Sequence, residues 1–400
     1  MTFLNAHNAR AMSEIFLETI ERYPQHCHGS GIVICAGGVT YLTNAWVCIN
    51  LLREQGCRLP IQLWYLDQHE LDEGMRALLL PLDVECVDAS KRCSAQDIVL
   101  NGWSLKPFAI LQSPFERVLL LDADNISVTD PAYLFDSCEF AEAGAVFWPD
   151  FGRIAPDSPI WSIFGVTYRD EPEFESGQVL IDKARCWQAL RLCMWYNMHS
   201  DFYYTLVHGD KETFHLAFRK LNAPYAMPRR GILRLRGTMC QHDFAGNRIF
   251  QHRNMLKWSL FLRNPSVPGF LHEERCLALL NCLRVEWQPV LRVPRFNAAQ
   301  RSDLELSAAE RLMHRVFTYS VKDWGYKILS FSPDGLVALG AGGFEVFWDI
   351  SLQQGRISLT LSSEDRFTAQ LSENGDGSWG GCSLILGARP ARLLPLSAAS

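Results

Sequence analysis

The apolar positions fall into two regimes along the 400 residues. In the first, short continuous apolar runs alternate with longer stretches in which apolar residues recur every three or four positions. The runs Gly31-Ile32-Val33-Ile34-Cys35-Ala36, Ile61 to Leu66, Val84 to Val87 and Val118 to Leu121 have the length and composition of strands buried on both faces. Between them, 41 to 53 and 67 to 80 read as helices, and so does the stretch led by Trp103-Ser104-Leu105-Lys106-Pro107-Phe108. Pro107 suits a first helical turn, where its missing N–H costs nothing. Residues 8 to 23 carry Ala11, Ile15, Phe16 and Ile20 among charges, the pattern of an amphipathic helix. Strands and helices in this alternation predict an α/β domain with a mostly parallel sheet.

After Trp258 the pattern changes. Glu273 to Leu283 reads as a helix with Leu277, Leu280 and Leu283 inward, and Pro289 to Ser302 is linker-like. From about Tyr326 come short alternating segments: Lys327 to Phe331, Leu336 to Leu339, Phe344 to Trp348, Arg356 to Leu361, Arg366 to Leu371 and Ser383 to Leu386. Turns at Pro333-Asp334-Gly335, Gly340 to Gly343 and Asn374-Gly375-Asp376-Gly377 separate them, which predicts a small antiparallel sandwich or barrel. The expected organisation is an N-terminal helix in 1–30, an α/β domain over 31–290, a linker over 291–325 and an all-β domain over 326–400. Trp348 and Trp379 would either fill the core of that last domain or stack on a sugar ring, and tryptophan in a small β domain favours the core.

The chemistry is concentrated in Leu120-Leu121-Asp122-Ala123-Asp124-Asn125. Side chains at i and i+2 of a strand lie on one side, so both carboxylates can meet just beyond the carboxyl edge of the sheet, where open α/β sheets bind ligands. Two adjacent carboxylates repel unless a cation or proton lies between them, and a hard divalent metal keeps both ionised. The plain alternative is a turn after a strand, since Asp and Asn are ordinary turn residues. A hydrophobic strand ending in Asp-x-Asp also begins phosphatases that use the first Asp as a nucleophile, but the strand expected early in such a domain and the later acidic pair are not clearly present.

Composition narrows the class. With 48% hydrophobic and 20% charged residues the chain is globular, and a net charge of −6 gives no sign of a nucleic-acid partner. The local cluster Arg229, Arg230, Arg234 and Arg236 could meet a diphosphate or simply be solvated. Thirteen cysteines, an odd number without a C-x-x-C pair and often inside apolar runs, read as reduced thiols. His26-Cys27-His28 lacks a second pair at zinc spacing. With no apolar stretch of eighteen residues and no charged start followed by an apolar core, the expectation is a cytoplasmic protein without a membrane-spanning segment.

Gly31 to Gly38, Leu105 to Ile110, the Asp122–Asn125 segment and Glu175-Ser176-Gly177-Gln178 together resemble the fungal α-mannosyltransferases that elongate mannan, within the wider glycogenin-like enzymes. The likeness covers roughly residues 30 to 260. It implies a GT-A nucleotide-sugar fold, a Mn2+ (or Mg2+) cofactor, GDP-mannose as the favoured donor with a UDP-sugar as the alternative, a glycan acceptor and transfer with retention of the α configuration. Carried over by position, Asp122 and Asp124 become metal ligands. Ala36, Gly37, Ala123, Glu175, Ser176, Gly177 and Lys257 become donor-binding residues. Lys106, Gln178 and Asp210 become catalytic, with Asp210 inside Gly209-Asp210-Lys211, which is similar to a G-D-Q segment. His252 resembles the late histidine that completes the metal site, and His242, between Gln241 and Asp243, is the competing candidate. The fungal enzymes carry an N-terminal membrane anchor that this sequence does not display. A glycan-binding protein with a degenerate transferase domain remains the alternative from another class.

Overall fold

The computed structural model describes residues 4–93, 100, 102–385 and 387–396. The chain divides into two compact units, one of 1–37, 41–255 and 266–283, the other of 38–40, 256–265 and 284–400.

Among the described residues, the first unit carries ten strands: β1 (Ser30–Cys35), β2 (Ile61–Tyr65), β3 (Val84–Asp88), β4 (Arg117–Asp122), β5 (Asn125–Ser127), β6 (Ala145–Pro149), β7 (Phe174–Asp182), β8 (Leu233–Leu235), β9 (Thr238–His242) and β10 (Arg248–His252). Six of them form one sheet in the order β3-β2-β1-β4-β7-β6. β1, β2, β3 and β4 pair in parallel, and β7 joins β4 and β6 antiparallel. β4 is central, and Leu119, Leu120 and Leu121 are fully buried, as a strand covered on both faces requires. One face is covered by the helices Leu105–Gln112, Lys183–Met198 and Lys211–Lys220. Trp64 meets Phe108 edge-on at 6.1 Å, and Phe147 stacks on Phe174 at 4.1 Å.

A smaller antiparallel sheet, β5-β10-β9-β8, starts three residues after the end of β4. Its register sets His252 opposite Asn125, and the ladder is prolonged by Arg253 N–H donating to the Asp124 carbonyl at 2.9 Å. A segment far down the sequence is thereby fastened beside Asp122 and Asp124.

The helix expected over 67–80 is confined to Glu73–Leu79. The Asp67 carboxylate accepts from His69 N–H and Glu70 accepts from Leu66 N–H, so local side-chain bonds compete with helix until Asp72 caps it by accepting from Met75 N–H.

The second unit holds β11 (Phe317–Val321), β12 (Gly325–Phe331), β13 (Val337–Leu339), β14 (Phe347–Gln353), β15 (Arg356–Ser362), β16 (Phe367–Glu373), β17 (Trp379–Ser383) and β18 (Arg389–Pro395). They pair antiparallel in the order β13-β12-β11-β18-β17-β16-β15-β14. A bridge between Leu336 and Phe347 joins the two ends of this order, closing the sheet into a barrel. The linker expected over 291–325 instead contains the helix Asp303–Met313 and β11. Ser302 and Glu305 form a capping box at that helix, and Ala308, Ala309 and Leu312 pack into the barrel core. The strand expected at Ser383 to Leu386 runs earlier, over Trp379–Ser383, and Leu386 lies outside the described residues. Trp348 is fully buried, stacked on Phe296 at 4.4 Å, with its indole N–H donated to the Ser332 carbonyl at 3.0 Å. Trp379 is 2% exposed, so both tryptophans are core residues.

Candidate functional site

Asp122 ends β4 and Asp124 precedes β5, so the two carboxylates straddle the point where the chain leaves one sheet and enters the other. His252 ends β10 and is held between them and Glu175. Its Nε2 lies 3.2 Å from Asp124 Oδ1 and 3.7 Å from Asp122 Oδ2, and its Nδ1 lies 3.2 Å from Glu175 Oε1. With Nδ1–H given to Glu175, Nε2 is the atom that faces the aspartates. A carboxylate behind a histidine in this way fixes the ring and its tautomer for metal ligation. One ligand atom each from Asp122, Asp124 and His252 lies within 4.8 Å of the others, the single such group of three or more potential ligands among the described residues.

Glycine is required in the bulged stretch of β7 beside Glu175, where the register against β6 shifts. A Cβ on Gly177 would stand 2.5 Å from His252 Nδ1 and 2.8 Å from Glu175 Oε1. The Glu175 carboxylate also accepts from Gly177 N–H at 2.9 Å, so the strand, the acid and the imidazole close on one another. At the end of β1, a Cβ on Gly37 would likewise fall 2.3 Å from Glu70 Oε2.

Lys106, in the first turn of its helix, is buried and donates to Asp122, with Nζ 2.8 Å from Oδ1 and 3.0 Å from Oδ2. Asp210 Oδ2 is 3.6 Å from the same ammonium, and Ser176 Oγ is 3.4 Å away. Gln178, fully buried, accepts from Asn125 Nδ2 at 2.7 Å, and Asn125 also donates to the Gly177 carbonyl at 2.8 Å. Asn125 thus ties the bulged stretch of β7 to the Asp124 segment. The Asp122–Asn125 pattern does not reveal this role, because the partners lie 52 and 53 residues further along the chain.

Electrostatics follow from this crowding. Burial lowers the Lys106 ammonium pKa, but Asp122 and Asp210 outweigh it and hold the amine charged well above its ordinary range. Burial opposes the charge on His252, yet Asp124 and Glu175 raise its pKa to about 10. Burial raises Glu175, while His252 and Lys106 bring it below the ordinary value. Asp210 is raised by burial, with Lys106 opposing. Four carboxylates, Asp122, Asp124, Glu175 and Asp210, face the two basic groups Lys106 and His252. The surplus of negative charge and the oxygen-rich ligand set fit a hard divalent cation with about three positions left for other oxygens.

The remaining expectations separate. Ala36 is buried just past β1, and Ala123 is buried between the two aspartates. His242 is buried but outside the ligand group. Burial and the nearby Arg230 lower its pKa, and its carbonyl accepts from the Trp148 indole. Lys257 is half-buried and belongs to the second unit. Arg229, Arg230, Arg234 and Arg236 are exposed on β8 and its flanks, with Arg234 lying 4.2 Å over the Phe151 ring. Lys211 turns to Asp150 at 2.8 Å, Glu173 at 2.5 Å and Glu212 at 2.6 Å, a cage the sequence did not suggest. All thirteen cysteines are free thiols. No helix among the described residues is long and apolar enough to cross a membrane.

A mannosyltransferase family model, Mannosyl_trans3, matches residues 29–173 and 166–252, more than half of the chain. An alpha-1,2-mannosyltransferase of Candida albicans, MNN24, is 32% identical over 265 residues, covering 52% of this chain and 37% of that protein. An alpha-1,2-mannosyltransferase of Saccharomyces cerevisiae, MNN5, is 27% identical over 286 residues, covering 56% of this chain and 49% of that one. The chain therefore spans half or less of the length of these relatives. Among solved structures, the galactosyltransferase LgtC in complex with donor and acceptor sugar analogues is similar over 50% of this chain and 73% of that chain, at 16% identity and a TM-score of 0.36. Mouse xyloside xylosyltransferase 1 is similar over 50% and 85%, at 16% identity and a TM-score of 0.35.

Proposed function

Because the chain belongs to the mannosyltransferase family matched over residues 29–252, we propose that it is a metal-dependent, retaining glycosyltransferase of GT-A type, which moves mannose from GDP-mannose onto a glycan acceptor in α linkage. The observation that carries this reading is the meeting of Asp122, Asp124 and His252 at the carboxyl edge of a mostly parallel sheet, with Lys106 beside them. Family membership also displaces the phosphatase reading of Asp-x-Asp, and the intact ligand group argues against a purely glycan-binding role.

Asp122, Asp124 and His252 would hold Mn2+ or Mg2+, which when bound neutralises charge on the donor diphosphate. Lys106 adds a fixed positive charge at the same place, buried where it is worth most. In transfer, the bond between the anomeric carbon and the diphosphate oxygen breaks and its electron pair leaves with the phosphate. The acceptor hydroxyl oxygen bonds the anomeric carbon from the side of the leaving group. Its proton passes to the departing phosphate oxygen. Asp210 and Gln178 orient the hydroxyls of sugar and acceptor, and the dry surroundings of β7 exclude water from the reacting carbon.

The test is a donor screen with purified protein and manganese, scoring nucleoside diphosphate release and mannosylated product for each nucleotide sugar. Turnover of GDP-mannose that depends on a divalent cation is the expected result. Turnover without one, or of another sugar nucleotide only, overturns the reading.

A further inference from the structure

A second feature lies along the same sheet edge. A cavity of about 540 Å³ beside β3 is lined by Tyr65, Arg76, Glu85, Asp88, Lys91 and Arg92. Asp88, the last residue of β3, is 7% exposed. Its Oδ1 accepts from Ser90 N–H at 3.0 Å and from Ser90 Oγ–H at 2.6 Å, which fixes the carboxylate in place. Its Oδ2 is buried and accepts no hydrogen bond among the described residues. Among the described residues its ion pair is with Lys91 at 3.6 Å, on a side chain that is 76% exposed. A fixed buried carboxylate with an unsatisfied oxygen at the wall of a cavity is costly unless a ligand donates to it.

Strand register relates this carboxylate to the Asp122 site. Asp122 stands opposite Cys35, Cys35 opposite Trp64 and Trp64 opposite Val87, so Asp88 is one residue beyond the level of Asp122 and three strands away. At the usual strand spacing that separation is about 14 Å. This is the order of length of an extended nucleoside diphosphate from its phosphates to the far edge of a purine. All of these residues belong to the first unit.

We propose that Asp88 reads the nucleobase of the donor and that the base it reads is guanine, an inference that rests on the nucleotide-sugar reading of the Asp122 site. Guanine presents its N1–H and exocyclic N2 amine side by side, two donors on one edge, which suits a carboxylate with lone pairs to spare. Uracil presents one N–H between two carbonyl oxygens, and a carboxylate repels both. Arg76 and Arg92 line the same cavity and supply donors for the guanine O6. Arg76 is already steered by its bond to the Tyr65 hydroxyl at 2.9 Å.

The test is calorimetric titration of the full chain, in the presence of manganese, with GDP, UDP, inosine diphosphate and xanthosine diphosphate. The wild type binds GDP most tightly, and loses ~10-fold on inosine diphosphate, which lacks the N2 amine. Asp88→Asn keeps an oxygen for Ser90 but turns one acceptor into a donor. It loses ~10- to 100-fold on GDP and gains on xanthosine diphosphate, whose C2 carbonyl accepts from the amide. Asp88→Ala loses GDP without that gain, so a merely structural role is separated from base reading. Tighter binding of UDP than GDP by the wild type overturns the guanosine donor itself. A wild type that prefers GDP but binds inosine diphosphate equally well, or an Asp88→Asn protein with unchanged preferences, overturns the role of Asp88 and leaves the donor standing. The inosine comparison needs no variant and stands even if the substitutions prevent folding.

Discussion

Glu175 Oε1 lies 3.2 Å from Nδ1 of His252, on the far side of the ring from the two aspartates. The pair comes from β7 and β10, strands of different sheets, and it turns Nε2 toward the candidate metal position. Glu175 is thus placed to support a bound cation through the histidine, beside the donor-pocket role that the family resemblance implies for it. Replacing Glu175 by Gln keeps an acceptor for Nδ1–H and removes the charge. Manganese affinity measured by titration calorimetry falls ~10-fold for Glu175→Gln and ~100-fold for Glu175→Ala. Unchanged affinity in both would show that the histidine needs no such support.

Gly177→Ala forces a methyl group to within 2.5 Å of His252 Nδ1. The ring must move, so manganese affinity drops at least ~10-fold while the protein loses only ~1–3 kcal/mol of stability. Gly342→Ala, whose added Cβ meets nothing within 4 Å, serves as the control and leaves both quantities unaltered. Equal behaviour of the two variants would refute the close approach.

Asp122→Asn and Asp124→Asn each remove one charged ligand, and each lowers transfer by ~100-fold or more with the circular dichroism spectrum preserved. His252→Ala raises the manganese concentration needed for half-maximal activity far more than His242→Ala, which lies outside the ligand group. A larger shift for His242→Ala would reassign the site.

In the second unit, burial raises the Glu364 carboxyl to about 7 from an ordinary 4.5, against the bond that Ser259 donates to it. Folded Glu364 thus keeps its proton where the unfolded chain has released it, so its contribution is complete below pH 4.5 and is lost as pH rises through 7. The loss is about 3 kcal/mol across that window. Glu212, also raised by burial to about 7, adds a slope of the same sign. Denaturant midpoints followed from pH 4.5 to 8 show a shallower decline in Glu364→Gln than in the wild type. Parallel curves would mean that Glu364 ionises normally.

Trp348→Ala empties the space between Phe296 and Phe331 in the barrel core and costs ~3–5 kcal/mol. Transfer to short and long oligosaccharides then falls in equal proportion, through loss of folded protein. A selective loss on long acceptors in stably folded protein would restore the sugar-stacking role.

The sequence by itself determined the strands of the parallel sheet, since continuous apolar runs such as Val118–Leu121 bury on both faces whatever surrounds them. It also determined the Asp122–Asp124 pair, because i, i+2 spacing at a strand end is a local geometric fact. The barrel was legible from its alternating segments, but its first strand was not, because Phe317–Val321 has no glycine turn before it and the helix Asp303–Met313 occupies the expected linker. Tertiary structure alone set His252, and not His242, beside the two aspartates. Both end strands of one small sheet, and only the pairing of β10 with β5 sets His252 opposite Asn125 and beside Asp124. The hold of Glu175 on His252, the tie from Asn125 to Gln178 and the position of Asp88 at the sheet edge are likewise non-local. Each depends on strands distant in sequence being brought together by hydrogen-bond register, which residue pattern along one segment does not encode.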